Sequence, residues 1–470
     1  MLTNQAPELN EKEQRVFNKL QNTPGLVLAH GLGTGKTRTS IQMANQLGMP
    51  TEVVVPAALQ DNYKKELNKW LGQVPEGVNI ESQQAVARRG LSEDQGLLVV
   101  DEAHRARDAT SRLLNALKQT QAQKRLLLTA TPVYNHPVDI APLINLAANK
   151  KVLPETRPEF EQKYIGNKEV KPNLFARLMG VESGQESVLQ NTNELKKVFG
   201  KYVDYEAGNK SEGFPTSSEE IVKVPMGTKQ QEVYDTIMNK APLWMRWKVR
   251  AGLPPNKKEM RSLQAFLTGP RQASNSNIDF VTSPNSVESP KAQQAAQYLL
   301  EQIQKNPQYK GVVYSNYLNS GLTPYKKYLE QNNIPYGEFS GSIPAEQRDQ
   351  MVRDYNADKI KALLISSAGA EGLDLKGTRL LQILEPHFNR EKEKQIIGRA
   401  IRYQSHAALP EDQRNVLIQR YLAQPRGGML NRLMGNETVR GTDEYISDLA
   451  DKKERLNRQV IDLIAQSQKP

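Results

Sequence analysis

Gly25-Leu26-Val27-Leu28-Ala29-His30-Gly31-Leu32-Gly33-Thr34-Gly35-Lys36-Thr37 is the stretch on which the fold turns. A short apolar run reads as a buried strand from Gly25 to His30, and a helical pattern runs from Lys36 to about Leu47. Between them lies a glycine-rich turn. Glycines let successive backbone N–H groups curl around phosphate oxygens, and the helix N-terminus adds partial positive charge. On that reading Gly31, Gly33, Thr34 and Gly35 cradle phosphates, Lys36 reaches the β- and γ-phosphates, and Thr37 holds Mg²⁺ through its hydroxyl. One position departs from the strict pattern, which starts with glycine where this chain has His30. Gly31 and Gly33 offset that change. The plain alternative is a strand–helix turn that holds no ligand.

Outward from this turn, short apolar runs alternate with helical patterns. Glu52–Val55, Leu97–Val100 and Arg125–Leu128 read as buried strands, and Ala58–Leu71 as an amphipathic helix. Strands alternating with helices imply an α/β fold with a parallel sheet covered on both faces. Leu97-Leu98-Val99-Val100-Asp101-Glu102-Ala103-His104 places two carboxylates at a strand end, where ligands bind in such sheets. Asp101 suits Mg²⁺, and Glu102 suits orienting and deprotonating a water. Alone, Asp101 could simply cap the next helix; a phosphate loop upstream weighs against that.

Further along, the pattern changes. Residues 150–213 are polar with helical stretches, Glu219–Pro225 alternates like a strand, and Thr228–Thr268 looks helical. Gln272–Pro290 is rich in Ser, Asn and Pro and reads as a loop or linker. A second alternating section follows, with strands at Gly311–Tyr314, Ala362–Ile365 and Leu380–Leu384, and the tail from Thr442 to Gln466 is a charged amphipathic helix. The expected division is a first lobe over 1–227 with a protrusion near 150–213, a helical insert and linker over 228–289, a second lobe over 290–425 and a helical extension over 426–470.

Composition bounds the function. The 470 residues hold two or three ordinary cores, and no apolar run is long enough for a membrane helix. Met1 to Lys12 lacks the pattern of a secretory signal. Cysteine is absent, which excludes disulfides and thiolate metal sites. The formal net charge of +11 points to a polyanionic partner, or merely to excess lysine.

With these motifs assembled, the chain resembles the superfamily 2 helicases of the DEAH-box sort, and within them the Swi/Snf-like branch with its viral and phage relatives. Lys36 and Thr37 fall on motif I, and Asp101 to His104 on motif II. Thr129-Ala130-Thr131-Pro132 resembles the coupling motif III, and Gln14 resembles the adenine-reading glutamine, though a surface helix glutamine is as good a description. Val53 to Leu59 followed by Tyr63 to Leu67 is similar to motif Ia, and Val222 to Tyr234 to the strand and helix closing the first lobe. Gly311 to Ser315 resembles motif IV, with Phe339-Ser340-Gly341-Ser342 after it; Ser366 to Leu375 resembles motif V, and Gln395 to Arg402 motif VI. Remodellers usually carry Asn where Asp374 stands and Gly-Gln where Gln404-Ser405-His406 follow. The Ser405-His406 ending and a phosphate loop beginning His30-Gly31 look more like the ATPases of large DNA viruses and tailed phages.

The resemblance implies two RecA-like parallel-sheet lobes with helical insertions and a C-terminal helix. It implies ATP and Mg²⁺ as cofactors, and a motor that acts on nucleic acid, double-stranded DNA above all. It places Gly372 and Asp374 at the nucleotide, and His104, Thr129, Thr131 and Gln395 in coupling. Arg399 and Arg402 would reach the γ-phosphate from the second lobe; their i, i+3 spacing puts both on one helix face, which could equally be a solvated basic face. Pro56, Ala57, Ser315, Ser342 and Ser367 would touch backbone phosphates. Lys248, Arg250, Lys257, Lys258, Arg261 and Arg271 suggest a basic surface, while Trp244 and Trp247 beside them read better as packing residues. A monomer free of membranes is expected, in a cytoplasm, on a nucleoid or in a virion, with protein partners unassigned. Two alternatives stay open: an RNA-stimulated helicase, and a nucleotide-binding scaffold with no motor activity.

Overall fold

The computed structural model describes residues 8–31, 34–91, 96–208, 213–340, 343–366, 375–388, 390–402, 404–428 and 437–468. The strands, in chain order, are β1 (Gly25–His30), β2 (Thr51–Val55), β3 (Val78–Ser82), β4 (Leu97–Val100), β5 (Lys124–Thr129), β6 (Ile165–Val170), β7 (Gly184–Leu189) and β8 (Val203–Glu206). They continue with β9 (Thr216–Pro225), β10 (Gly311–Ser315), β11 (Tyr336–Phe339), β12 (Ala362–Ser366), β13 (Leu380–Ile383) and β14 (Asn415–Gln424). Two six-stranded sheets result, in the orders β3-β2-β4-β5-β1-β8 and β11-β12-β10-β13-β14-β9, with β6 and β7 as a separate pair. Every pairing within the two large sheets is parallel.

Parallel strands buried on both faces need unbroken apolar runs, and these have them. Successive side chains point to opposite faces. Val27, Val54, Leu98, Val100 and Leu127 therefore enter one core of the first sheet, and Leu26, Leu28, Val53, Leu97, Val99 and Leu126 the other. The second sheet repeats the scheme, with Val312, Tyr314, Leu363 and Ile365 on one face and Val313, Ala362, Leu364 and Leu380 on the other. The fold is thus the expected α/β one, with two helicase-type RecA-like lobes.

The chain divides into two compact units, Met1–Asn167 with Ser187–Asn209 and Glu454–Pro470, and Lys168–Glu186 with Lys210–Lys453. Two segments differ from the sequence reading of their place. β9, expected to close the first lobe, pairs with β14 over Thr216–Pro225 at the edge of the second sheet. The tail helix Thr442–Gln466 is no detached extension: Tyr445 and Ile446 join an apolar core of the second unit, and Leu456, Val460, Leu463 and Ile464 a core of the first.

The Ser/Asn-rich stretch 272–290 is only in part the expected loop or linker: 279–285 run mostly exposed, but the start of the stretch does not. A helix continues to Asn275, and Ser274, Asn275, Ser276 and Asn277 are buried. Among the described residues Ser274 Oγ and Asn275 Oδ1 have no partner, but the rest of that polarity is met internally. Asn275 Nδ2 donates to Glu385 Oε2 at 2.7 Å, Ser276 Oγ to Glu288 O at 3.0 Å and Asn277 Nδ2 to Ser286 O at 2.9 Å. Among the described residues no helix is long and apolar enough to cross a membrane.

Candidate active site

Parallel pairing brings three motifs to one edge. β4, β5 and β1 are adjacent, so Asp101, Thr129 and His30 finish at the carboxyl edge of the same sheet. Gly31 follows β1, where its N–H donates to Glu206 O at 2.9 Å. A side chain there would meet Gly208 N at 2.3 Å, so only glycine fits. Gly35 precedes the helix Lys36–Leu47 in the left-handed conformation (φ 75°) and offers no side-chain cap, which leaves the first helical N–H groups open. Gly33 lies outside the described residues.

Lys36 Nζ donates to His30 O at 2.9 Å and Gly31 O at 3.0 Å, and Thr34 Oγ1 donates to Gly31 O at 2.8 Å. Burial pushes the Lys36 ammonium below its ordinary value, while Glu102 and Asp101 pull it back up. Thr37 is half-buried in the first helical turn. Lys12, on the helix Glu11–Gln21, donates to Thr34 O and so joins the loop. Gln14 is exposed and donates to Asn18 Oδ1 at 3.0 Å.

His30, the departure from the loop pattern, is fully buried. Its Nε2 lies 2.8 Å from Asp204 Oδ1 on β8, and Arg15 grips Asp204 with Nε and Nη2, each at 2.9 Å. Burial pushes Asp204 up, but His30 and Arg15 outweigh it and hold the carboxylate well below the usual range. Burial pushes the His30 imidazole below its ordinary value, against the upward pull of Asp204. The imidazole thus anchors the strand end from which the loop departs.

The acidic pair is asymmetric. Burial, and secondarily Glu102, pushes the Asp101 carboxyl up to about 6. Burial raises Glu102 too, yet His104 and Lys36 outweigh it and the net shift is downward. His104 Nδ1 lies 3.2 Å from Glu102 Oε2, too bent for a hydrogen bond but an ion pair when the ring is protonated. Glu102 itself is held at φ 49°, a left-handed conformation rare outside glycine and asparagine. The His104 ring stacks on Tyr134 with centroids 6.1 Å apart, and Arg107 covers Tyr134 at 4.1 Å. Tyr134 follows the Thr129–Pro132 motif, where Thr131 N donates to Thr129 Oγ1 at 3.0 Å.

In the second unit, Gln395 and Arg399 ride on the helix Glu391–Ala400. That helix ends before Arg402, whose backbone turns onto Ser405 Oγ, so the argument for one shared helix face covers Arg399 alone. Gly372 and Asp374 lie outside the described residues.

The nucleic-acid candidates separate sharply. Lys248 is fully buried and pairs with Glu259 Oε2 at 2.5 Å, so it cannot touch a phosphate. Arg271 is buried as well and donates to Pro386 O at 2.8 Å. Ser315 is buried with its Oγ 2.8 Å from Glu385 Oε2. Pro56 is buried, and Ala57 beside it is exposed. Arg250, Lys257, Lys258 and Arg261 are exposed on the helices Leu243–Ala251 and Lys257–Phe266. Trp244 packs on the apolar core there, as expected, whereas Trp247 meets the exposed Phe175 with centroids 5.8 Å apart. Ser342 and Ser367 lie outside the described residues. Lys12, Asp204 and Tyr134 escaped sequence reading; only Lys12, two residues from Gln14, carried any positional hint.

Residues 78–278 match the SNF2-related domain family, and residues 293–404 the helicase conserved C-terminal domain. The chain is 30% identical to a putative ATP-dependent RNA helicase, L538, of Acanthamoeba polyphaga mimivirus, over 97% of each chain. It is 25% identical to a termination factor NPH-I homolog of African swine fever virus, over 94% of this chain and 76% of that one. The crystal structure of the Pyrococcus furiosus Hef helicase domain superposes with a TM-score of 0.51 at 16% identity, covering 91% of this chain and 97% of that one, a likeness of fold.

Proposed function

Because the chain belongs to the Swi/Snf-like branch of the superfamily 2 helicases, a branch of helicase-type ATPases with large-virus members, we propose that it hydrolyses ATP to translocate on double-stranded DNA. The observation that carries this reading is the convergence of Lys36, Asp101 and Glu102 at the carboxyl edge of one parallel sheet.

The residues fit magnesium and ATP. Asp101 is a half-buried carboxylate whose charge its surroundings disfavour without a cation, and the Thr37 hydroxyl stands on the turn after the loop. Mg²⁺ held there would neutralise charge on the β- and γ-phosphates. Lys36 exchanges the carbonyls of His30 and Gly31 for phosphate oxygens, and the open N–H groups after Gly35 take others. Glu102, kept ionised, orients the attacking water and takes its proton. Arg399 and Arg402 meet the developing charge on the γ-phosphate, a role worth roughly 10³–10⁵ in turnover for such arginines. His104, Thr129, Thr131 and Gln395 couple hydrolysis to movement. Arg250, Lys257, Lys258 and Arg261 supply phosphate contacts without base readout, and the exposed Ala57 offers backbone on the first unit.

The test is ATP turnover with duplex DNA, single-stranded DNA or RNA added. Duplex DNA should stimulate most, and Glu102→Gln should bind ATP yet lose about 10²–10⁴-fold in turnover. Stimulation by RNA alone would favour the second reading, an RNA-stimulated helicase, which the name of the mimivirus relative supports. Indifference to every nucleic acid would remove the motor reading.

A further inference from the structure

A cavity of about 920 Å³ opens within the second unit, between the helices Thr228–Asn239 and Leu243–Ala251 and the segments 425–428 and 438–440. Its volume is that of a small-molecule site. The charged groups that line it are Arg246, Arg250, Arg426 and Arg440 against Glu232 and Asp235. Among the described residues no lysine lines it, so each described cation there is a planar fork suited to bidentate oxyanion binding.

The arginines are unequally engaged. Arg440 is tied to Asp448, and Arg426 donates Nε to Met226 O at 2.9 Å. Arg246 reaches only Asn239 Oδ1, at 3.4 Å, and its buried Nε has no partner among the described residues. Arg250 is exposed at the rim. Guanidinium capacity is therefore left over, and an unpartnered buried N–H is costly.

The carboxylates narrow the ligand. Glu232 and Asp235 lie one turn apart on the helix Thr228–Asn239, with Gln231 Nε2 donating to Asp235 Oδ2 at 3.3 Å. They would repel a bare polyanion and accept from hydroxyl or amino donors. A nucleotidyl group carries both halves: phosphates for the forks, and sugar hydroxyls and base amino groups for the carboxylates.

We propose that this cavity is a second nucleotidyl site, separate from the phosphate loop, in which Arg246 and Arg250 take phosphate oxygens and Glu232 and Asp235 take sugar or base donors. The same chemistry is carried by a free nucleotide and by the phosphorylated end of a nucleic-acid strand.

Equilibrium dialysis of full-length Glu102→Gln protein with labelled ATP tests this, because that background binds without turnover. Two sites per chain are expected. Arg246→Gln should weaken one of them by about 10-fold or more, with the other site unchanged. In an otherwise wild-type chain, Arg246→Gln should leave turnover without nucleic acid and the melting curve unchanged. Asp235→Asn should weaken nucleotide at that site but not inorganic tripolyphosphate. Competition by a 5′-phosphorylated tetranucleotide assigns the strand end as the source, and competition by free nucleotides alone assigns the free ligand. A single site with every probe, a second site indifferent to Arg246→Gln, or tripolyphosphate binding as tightly as ATP there would overturn the proposal. Failure here leaves hydrolysis at the phosphate loop untouched, so the two readings fall separately.

Discussion

His30 stands where the phosphate-loop pattern asks for glycine, and its imidazole is spent inside the protein, on Asp204. Asp204 also takes both forks of Arg15, so one fully buried carboxylate ties the strand β1, the strand β8 and the first helix together. Removing one partner of such a buried pair typically costs about 3–5 kcal/mol. Asp204→Asn should therefore lower the unfolding free energy of the first unit, read from urea titration, by about that much at neutral pH, and an unchanged midpoint would make the network decorative. The pH sign follows from the depressed carboxyl. Its contribution is whole above the unfolded value of about 4, and is lost as pH falls through the lower folded value. Acidification below about pH 4 should thus cost the wild type more than Asp204→Asn. Lys36, Asp101 and Glu102 were legible in the sequence because their neighbours in the chain define them. Asp204 was not, because its meaning comes from the register Leu28↔Asp204, which no local pattern encodes.

Elements tell the same story one level up. Strands such as β1 and β4 were readable to the residue, since burial on both faces leaves only apolar choices. The stretch Thr228–Thr268 was readable as helical, though not its division into separate helices, and its basic residues were not sortable by composition. Lys248 points into the core onto Glu259, while Arg250 two residues on is exposed. The stretch 272–290 misled for a related reason. Ser and Asn usually signal solvent, yet several here find partners inside, as when Asn275 Nδ2 donates to Glu385 Oε2 at 2.7 Å. The element-level prediction contrasts two lysines. Lys248→Ala, which strands Glu259, should destabilise the fold by about 3 kcal/mol with little change in nucleic-acid affinity per folded molecule. Lys258→Ala should do the reverse, and calorimetric melting beside filter binding separates them.

For the whole molecule, the formal net charge of +11 matters through counterions. If the exposed face bearing Arg250, Lys257, Lys258 and Arg261 meets phosphates, the double variant Lys258→Gln with Arg261→Gln should flatten the plot of log affinity against log salt by about 2. An unaltered slope would move the contact surface elsewhere. Two parallel-sheet lobes could be anticipated from alternation, but not how the chain is shared between them. β9 precedes the helical insert and still belongs to the second sheet, and the tail helix contributes Leu456, Val460 and Ile464 to a core of the first unit. That threading governs how the protein is made. On the ribosome, β9 is exported long before β14 exists to receive it, and the first sheet must wait for Leu456 to Ile464 to seal one of its faces. Neither unit matures in passing. The nascent chain carries unfinished apolar surface until Leu456 to Ile464 have emerged, so chains cut ahead of Leu456 become substrates for chaperones and proteases rather than working half-proteins.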